Sequence, residues 1–127
     1  ISLKDGSLDI LDKLKSQGKE LFLITNAHRI TLNIKLKKFD ISKYFGEMVC
    51  SHELGYVKED IQFWHILRLK LKLDYKYSVL VEDTFDNINS AYHAGLNNFV
   101  YISDNKKFTS PLSPLIVKSF SELSSSI

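Results

Sequence analysis

Cysteine is almost absent from this sequence, and so are most features that assign a protein to a class at sight. Cys50 is the one cysteine in 127 residues, so no internal disulfide can form, which suits a reducing cytoplasm. It sits in the apolar "EMVC", where a thiol is expected to be buried and inert rather than nucleophilic. No apolar run approaches the ~20 residues of a membrane span, and no signal peptide is visible. An excess of one charge is also missing. The net charge is +2, and the lysines lie among carboxylates rather than in the basic stripe that nucleic acid requires. No internal repeat is found. Both prolines fall in "TSPLSP", which reads with the terminal "SSSI" as loop or tail. Finally, there is no initiating methionine. The chain opens at Ile1 on the approach to a helical pattern, and is expected to be a piece of a longer protein or a trimmed one.

What remains is an ordinary globular composition, 44% hydrophobic and 25% charged. The length suits one domain that buries roughly two thirds of its unfolded surface. Leu8, Leu11 and Leu14, with Ile10 nearby, form a helical stripe closed by Gly18. "ELFLIT" is a short apolar strand. Between Ile30 and Phe39, Ile30, Ile34 and Leu36 alternate with lysines at roughly helical spacing. "EMVCS" is a second strand. Asp60 can cap a helix that carries Ile61, Trp64 and Leu67. In "LRLKLKLDYKY" the apolar and charged residues alternate as in a strand. The long run from Asp60 without Gly or Pro favours a helix to about Leu71. "YSVLVED" is a third strand, "FDNINSAYHAG" a helix closed by Gly95, and "NFVYI" a fourth strand. Strands that alternate with helices predict an α/β fold, a parallel sheet with helices on both faces. The nearly continuous apolar strands agree with that, since both sheet faces are then covered.

In such folds ligands sit just past the carboxyl ends of strands. Three places qualify. Thr25-Asn26 ends the first strand, where a turn or helix cap is the plain alternative. Lys58 follows "GYV" and precedes two acids, the composition of a solvated helix start. Glu82-Asp83 follows "VLV". Two adjacent carboxylates there repel unless donors or a cation come between them, and a hard ion such as Mg2+ takes carboxylates together with phosphate oxygens. A hydroxyl, backbone amides, an amine and a metal carboxylate are together the parts of a phosphoryl-transfer site.

"LITNAH", "GYVKED" followed by "WH", and "VLVEDTFDNINSAYHAG" resemble motifs II, III and IV of the haloacid dehalogenase-like (HAD) superfamily. The resemblance runs from about Leu11 to Ile102. Within the superfamily, "TNAH" with "GYVKEDIQFWH" looks most like the bacterial GMP/IMP 5'-nucleotidase group. It implies a Rossmann-like core and a cytoplasmic, Mg2+-dependent phosphomonoester hydrolase acting on purine nucleotides, with no nucleic-acid or membrane partner. By resemblance, Thr25 and the Asn26 amide would bind the transferring phosphate. Lys58 would balance charge on the phosphate and the attacking carboxylate. Asp83 would hold Mg2+, with Glu82 as a further ligand or just behind it. His28 and His65 match the subgroup's strings without an assignable role, and neither has metal-ligand spacing.

Two departures accompany the resemblance. Superfamily members commonly carry a second Asp four residues after the metal Asp; here that position is Asn87, with Asp86 one residue early. The nucleophile of the family is the first Asp of a DxDxT-type motif after an N-terminal strand. No such motif occurs here, and Asp5, Asp9 and Asp12 do not follow an apolar strand. The family's substrate-selecting cap also lies upstream of "TNA". The resemblance therefore implies one partial HAD-like core over 1–127, with 103–127 as C-terminal loop and tail. By the family's strand order the missing strand is central, which leaves the "ELFLIT" and "SVLVE" strands with unpaired inner edges. This chain alone is expected to be inactive. The alternative is a non-catalytic module that binds phosphate or a partner. A phospho-accepting receiver domain is excluded by order, because receivers meet their acidic pair first and their Lys last.

Overall fold

The computed structural model describes residues 6–104 and 115–126. In chain order the elements are α1 (Ser7–Ser16), β1 (Phe22–Thr25), α2 (Arg29–Lys38), β2 (Glu47–Cys50), α3 (Ile61–Leu71), β3 (Leu80–Glu82), α4 (Phe85–His93), β4 (Phe99–Ile102), β5 (Leu115–Val117) and α5 (Phe120–Ser126). Every described strand pair is parallel, and the strands form two sheets, β1-β2 and β3-β4-β5. Among the described residues no strand pairs with the second edge of β1 or of β3.

The chain divides into two compact units. The first runs to Glu53 and takes in the C-terminal residues from Ser119. Its parallel register pairs Phe22 with Glu47 and Thr25 with Cys50, so β1 and β2 end level with each other. α1 buries Ile10 and rests on α5. Gly6 starts α1 at φ 80, and a Cβ there would overlap the Ser121 backbone, so the close approach of α1 and α5 requires glycine. The Lys13 ammonium reaches the Ser124 carbonyl and ties the two helices at their other end.

In α2 the helix itself forms where the sequence places it, but the buried position is Leu32. Ile30 and Ile34 are 65% and 59% exposed. Isoleucines four apart share one helix face, and in this unit that face is turned to solvent.

The second unit runs from Leu54 to Lys118. The Asp60 carboxylate caps α3 by accepting from Gln62 N at 2.9 Å. Phe63, Trp64 and Leu67 are buried by the helix, each contributing roughly 1.5–3 kcal/mol of burial. The period-two alternation is thus overridden: Leu67 is buried while Leu69 is 69% exposed. Lys72 ends α3 in the left-handed region at φ 54, with Leu73 N donating to Arg68 O at 3.0 Å. Residues 103–127, expected as loop and tail, contain β5 and α5 instead. "LIV" supplies β-branched residues that pair with β4, and Ser119 Oγ accepts from Glu122 N at the start of α5. The stretch "TSPLSP" lies outside the described residues.

Candidate functional site

The end of β1 answers why an apolar strand stops on a hydroxyl and an amide. Thr25 Oγ1 accepts the Ala27 N–H at 3.0 Å, closing a tight turn between β1 and α2. The hydroxyl still has its own proton to donate. His28 then caps α2, its Nδ1 accepting Ile30 N at 3.2 Å, so the neutral ring carries its proton on Nε2. The turn thus presents a hydroxyl and Asn26 at the opening of a ten-residue helix.

A brace unseen in the sequence lies beside it. Arg29 binds Glu53 with two nitrogens, Nη2 to Oε1 at 2.6 Å and Nε to Oε2 at 3.1 Å, and Nη2 also reaches Met48 O at 2.9 Å. The Arg29 hydrogen bond holds the Glu53 carboxyl below its ordinary range and raises the guanidinium in turn. The residues just before each partner, His28 and His52, stack with ring centroids 4.1 Å apart and planes 8° from parallel. No local signal marks this pair, because the partners are 24 residues apart in sequence. Cys50 is fully buried, and burial pushes its thiol up, with Arg29 opposing and Glu53 adding. It is the buried thiol the sequence suggested.

In the second unit, Lys58 and the acidic pair do meet. Lys58 Nζ lies 2.8 Å from Glu82 Oε1, with the two side chains 14% and 5% exposed. Asn87 Nδ2 donates to the same oxygen at 3.0 Å. Glu82 Oε2 accepts the Asp83 and Thr84 amides at 2.8 and 3.0 Å. Glu82 thus has four nitrogen donors on two oxygens and is a buried structural anion. In this arrangement its lone pairs are taken up by nitrogen donors, which favours the place behind Asp83 over a ligand position. Asn87, at the position where an Asp was expected, acts as a donor. A second carboxylate there would repel Glu82 inside a buried cluster. The Asn87 Oδ1 atom is buried with no protein partner.

Asp83 stays exposed at the carboxyl end of β3, with Thr84 Oγ1 donating to its Oδ1 at 3.3 Å. Its chemistry and position fit one ligand of a hard cation. Among the described residues there is no group of three or more His, Cys, Asp or Glu side chains able to hold a metal. Lys58 is held from behind as well, since Trp64 Nε1 donates to the Lys58 carbonyl at 2.7 Å, and Tyr75 donates its hydroxyl to the Trp64 carbonyl. Trp64 reads in the sequence as core alone; its six-residue spacing from Lys58 is the only hint of the second role. His65 is half-buried on α3, and Asp86 is exposed in the first turn of α4. Thr25 and Asn26 belong to the first unit, Lys58, Glu82 and Asp83 to the second.

Comparison with known proteins bears on the family and the fold. The family model of haloacid dehalogenase-like hydrolases matches residues 1–101. The GMP/IMP nucleotidase YrfG of Escherichia coli (strain K12) is 28% identical over 94 residues, covering 74% of this chain and 42% of its own length. The chain therefore spans less than half of this curated relative. A crystal structure of a dehalogenase superposes with a TM-score of 0.85 at 22% identity, over 99% of this chain and 57% of that one. The HAD-hydrolase YfnB of Bacillus subtilis, in a structure bound to magnesium, gives a TM-score of 0.80 at 20% identity, over 94% and 53%. These structural likenesses speak to the fold. No helix among the described residues is long and apolar enough to cross a membrane.

Proposed function

The chain belongs to the haloacid dehalogenase-like hydrolase family, and from that membership we propose that it is the core of a Mg2+-dependent 5'-nucleotidase acting on purine nucleoside monophosphates such as GMP and IMP. The carrying observation is the ion pair joining Lys58 to Glu82 at the end of β3, one residue before Asp83. Residues 24 apart in sequence thereby put an ammonium on the carboxylate that immediately precedes Asp83. The similarity to the GMP/IMP nucleotidase supports the substrate class.

Each group has a defined task in this reading. Thr25 donates its hydroxyl proton to a phosphate oxygen while its lone pair is held by Ala27 N. The Asn26 amide adds a second donor at the start of α2, where the helix dipole favours an anion. Lys58 supplies positive charge where negative charge develops. Glu82 anchors that ammonium, and Asp83 would hold Mg2+. The ion would supply neutralisation of phosphate charge and orientation of the ester. These groups are taken up by binding and charge balance in this reading, so the proposed nucleophile is an aspartate outside these 127 residues.

The test assays the complete protein and the 127-residue chain side by side against a panel of nucleoside monophosphates with saturating Mg2+. Phosphate release from GMP and IMP by the complete protein alone is the expected result. Turnover by the short chain would contradict the nucleophile assignment. An inactive complete protein would favour a phosphate- or partner-binding module.

A further inference from the structure

We propose that the stacked His28–His52 pair is a platform for the nucleobase of the substrate, a specificity element beside the phosphate turn. The inference rests on the proposed phosphate role of Thr25 and Asn26, and adds the part of the substrate that a phosphate site alone cannot distinguish.

Three observations carry it. First, the pair is built rather than incidental. The two-pronged Arg29–Glu53 bridge, with Arg29 also on the Met48 carbonyl, clamps together the chain segments that hold the rings. His28 is further fixed because its Nδ1 caps α2 through Ile30 N at 3.2 Å. Second, the rings are nearly parallel at 4.1 Å, and both histidines are exposed. Parallel stacking points the ring edges alongside one another rather than toward a shared ion, so chelation would require a ring to rotate. Flat exposed faces suit an aromatic heterocycle, and bases stack on aromatic side chains largely independently of their identity. Third, His28 is three residues from Thr25, so its Cα lies within about 11 Å of the Thr25 Cα. One ribose separates a phosphate from its base by a distance of the same order.

The role of His28 as a cap must be separated from a role as a stacking surface. His28→Asn does this, because Asn is itself a strong N-cap but has no ring. His52→Ala removes the partner ring without touching a cap.

The experiment follows the amides of Thr25 to Ala27 and the carbon-bound ring protons of His28 and His52 by NMR in the full chain. Inorganic phosphate, ribose 5-phosphate and GMP are titrated separately. All three are expected to move the amides, and GMP alone to shift the ring protons upfield. His28→Asn and His52→Ala are each expected to lower the preference for GMP over ribose 5-phosphate on the order of tenfold. Equal ring-proton responses to GMP and ribose 5-phosphate, or an unchanged preference in both variants, would overturn the platform and leave the phosphate reading standing. Amides that respond to none of the three probes would overturn the phosphate reading and the platform with it.

Discussion

Lys58 and Glu82 form a buried ion pair at 2.8 Å, and the carboxylate of that pair accepts three further N–H groups, from Asn87, Asp83 and Thr84. Such an arrangement offsets the desolvation of Glu82 only while every donor is present. The pair therefore belongs both to the stability of the second unit and to the proposed phosphate chemistry, and the two contributions can be separated by substitution.

Lys58→Met should destabilise the protein by roughly 3 kcal/mol, near the low end for breaking a buried pair, because three N–H groups remain on Glu82. Combining it with Glu82→Gln should recover part of that loss, since no lone charge is left buried. Urea unfolding midpoints of the wild type, both single variants and the double variant measure the coupling. Strictly additive losses would show that the pair contributes nothing.

Trp64→Phe keeps an aromatic ring in the core but removes the indole donor to the Lys58 carbonyl. The expected cost is about 1–3 kcal/mol for the lost hydrogen bond to this part-buried carbonyl plus the smaller ring. In the complete enzyme the KM for nucleotide should rise, because the loop carrying Lys58 loses its tether. Denaturant titration and steady-state kinetics together check this, and a stability loss with no kinetic change would limit Trp64 to packing.

Burial pushes the Tyr75 hydroxyl up to about 12 from its ordinary value of 10.0, with Arg68 opposing. The sign follows from linkage: the folded state holds this proton more tightly, so the associated stability is complete below pH 10.0 and is lost as pH rises toward about 12. Native protein should therefore keep Tyr75 un-ionised across that window. Since Tyr44 is raised too by its hydrogen bond to Asp12, ultraviolet tyrosinate absorbance is compared between wild type and Tyr75→Phe. Tyr75→Phe should flatten the alkaline fall in stability, at the expense of the hydrogen bond to the Trp64 carbonyl. A native titration in which every tyrosine ionises together near pH 10 would contradict the assignment.

Asp83→Asn replaces a charged oxygen donor with a neutral amide at an exposed strand end, and so should change stability by no more than about 0.5 kcal/mol. In the complete protein it should abolish Mg2+-dependent phosphate release, as should EDTA added to the wild type. Glu82→Gln should instead lower stability, because its two backbone donors and Lys58 lose an anion. Activity of Asp83→Asn equal to wild type at limiting Mg2+ would remove Asp83 from the metal site.

The elements were legible in the sequence wherever the cause is local. An apolar run ending in Thr25-Asn26, an Asp60 cap, a helix held against a period-two pattern by its cap and length, and Gly95 after α4 all act within a few residues. The parallel arrangement followed from strand–helix alternation, and the family from three motif strings. Tertiary structure alone decided what lies far apart in the chain or depends on which face finds a partner. Leu32 rather than Ile30 or Ile34 is buried on α2, because one helix offers several apolar faces and packing selects among them. "LIV" becomes β5 because β4 presents a free edge to it. The Glu82 carboxylate, expected from the resemblance as a further metal ligand or just behind one, is engaged by Lys58 and Asn87, which only the fold delivers to it. The Arg29–Glu53 bridge and the His28–His52 stack bring together residues 24 apart, and no composition or spacing marks them. Local propensity acts over one turn of chain, whereas ion pairs and ring contacts are fixed only when folding has paid the entropy of bringing distant segments together.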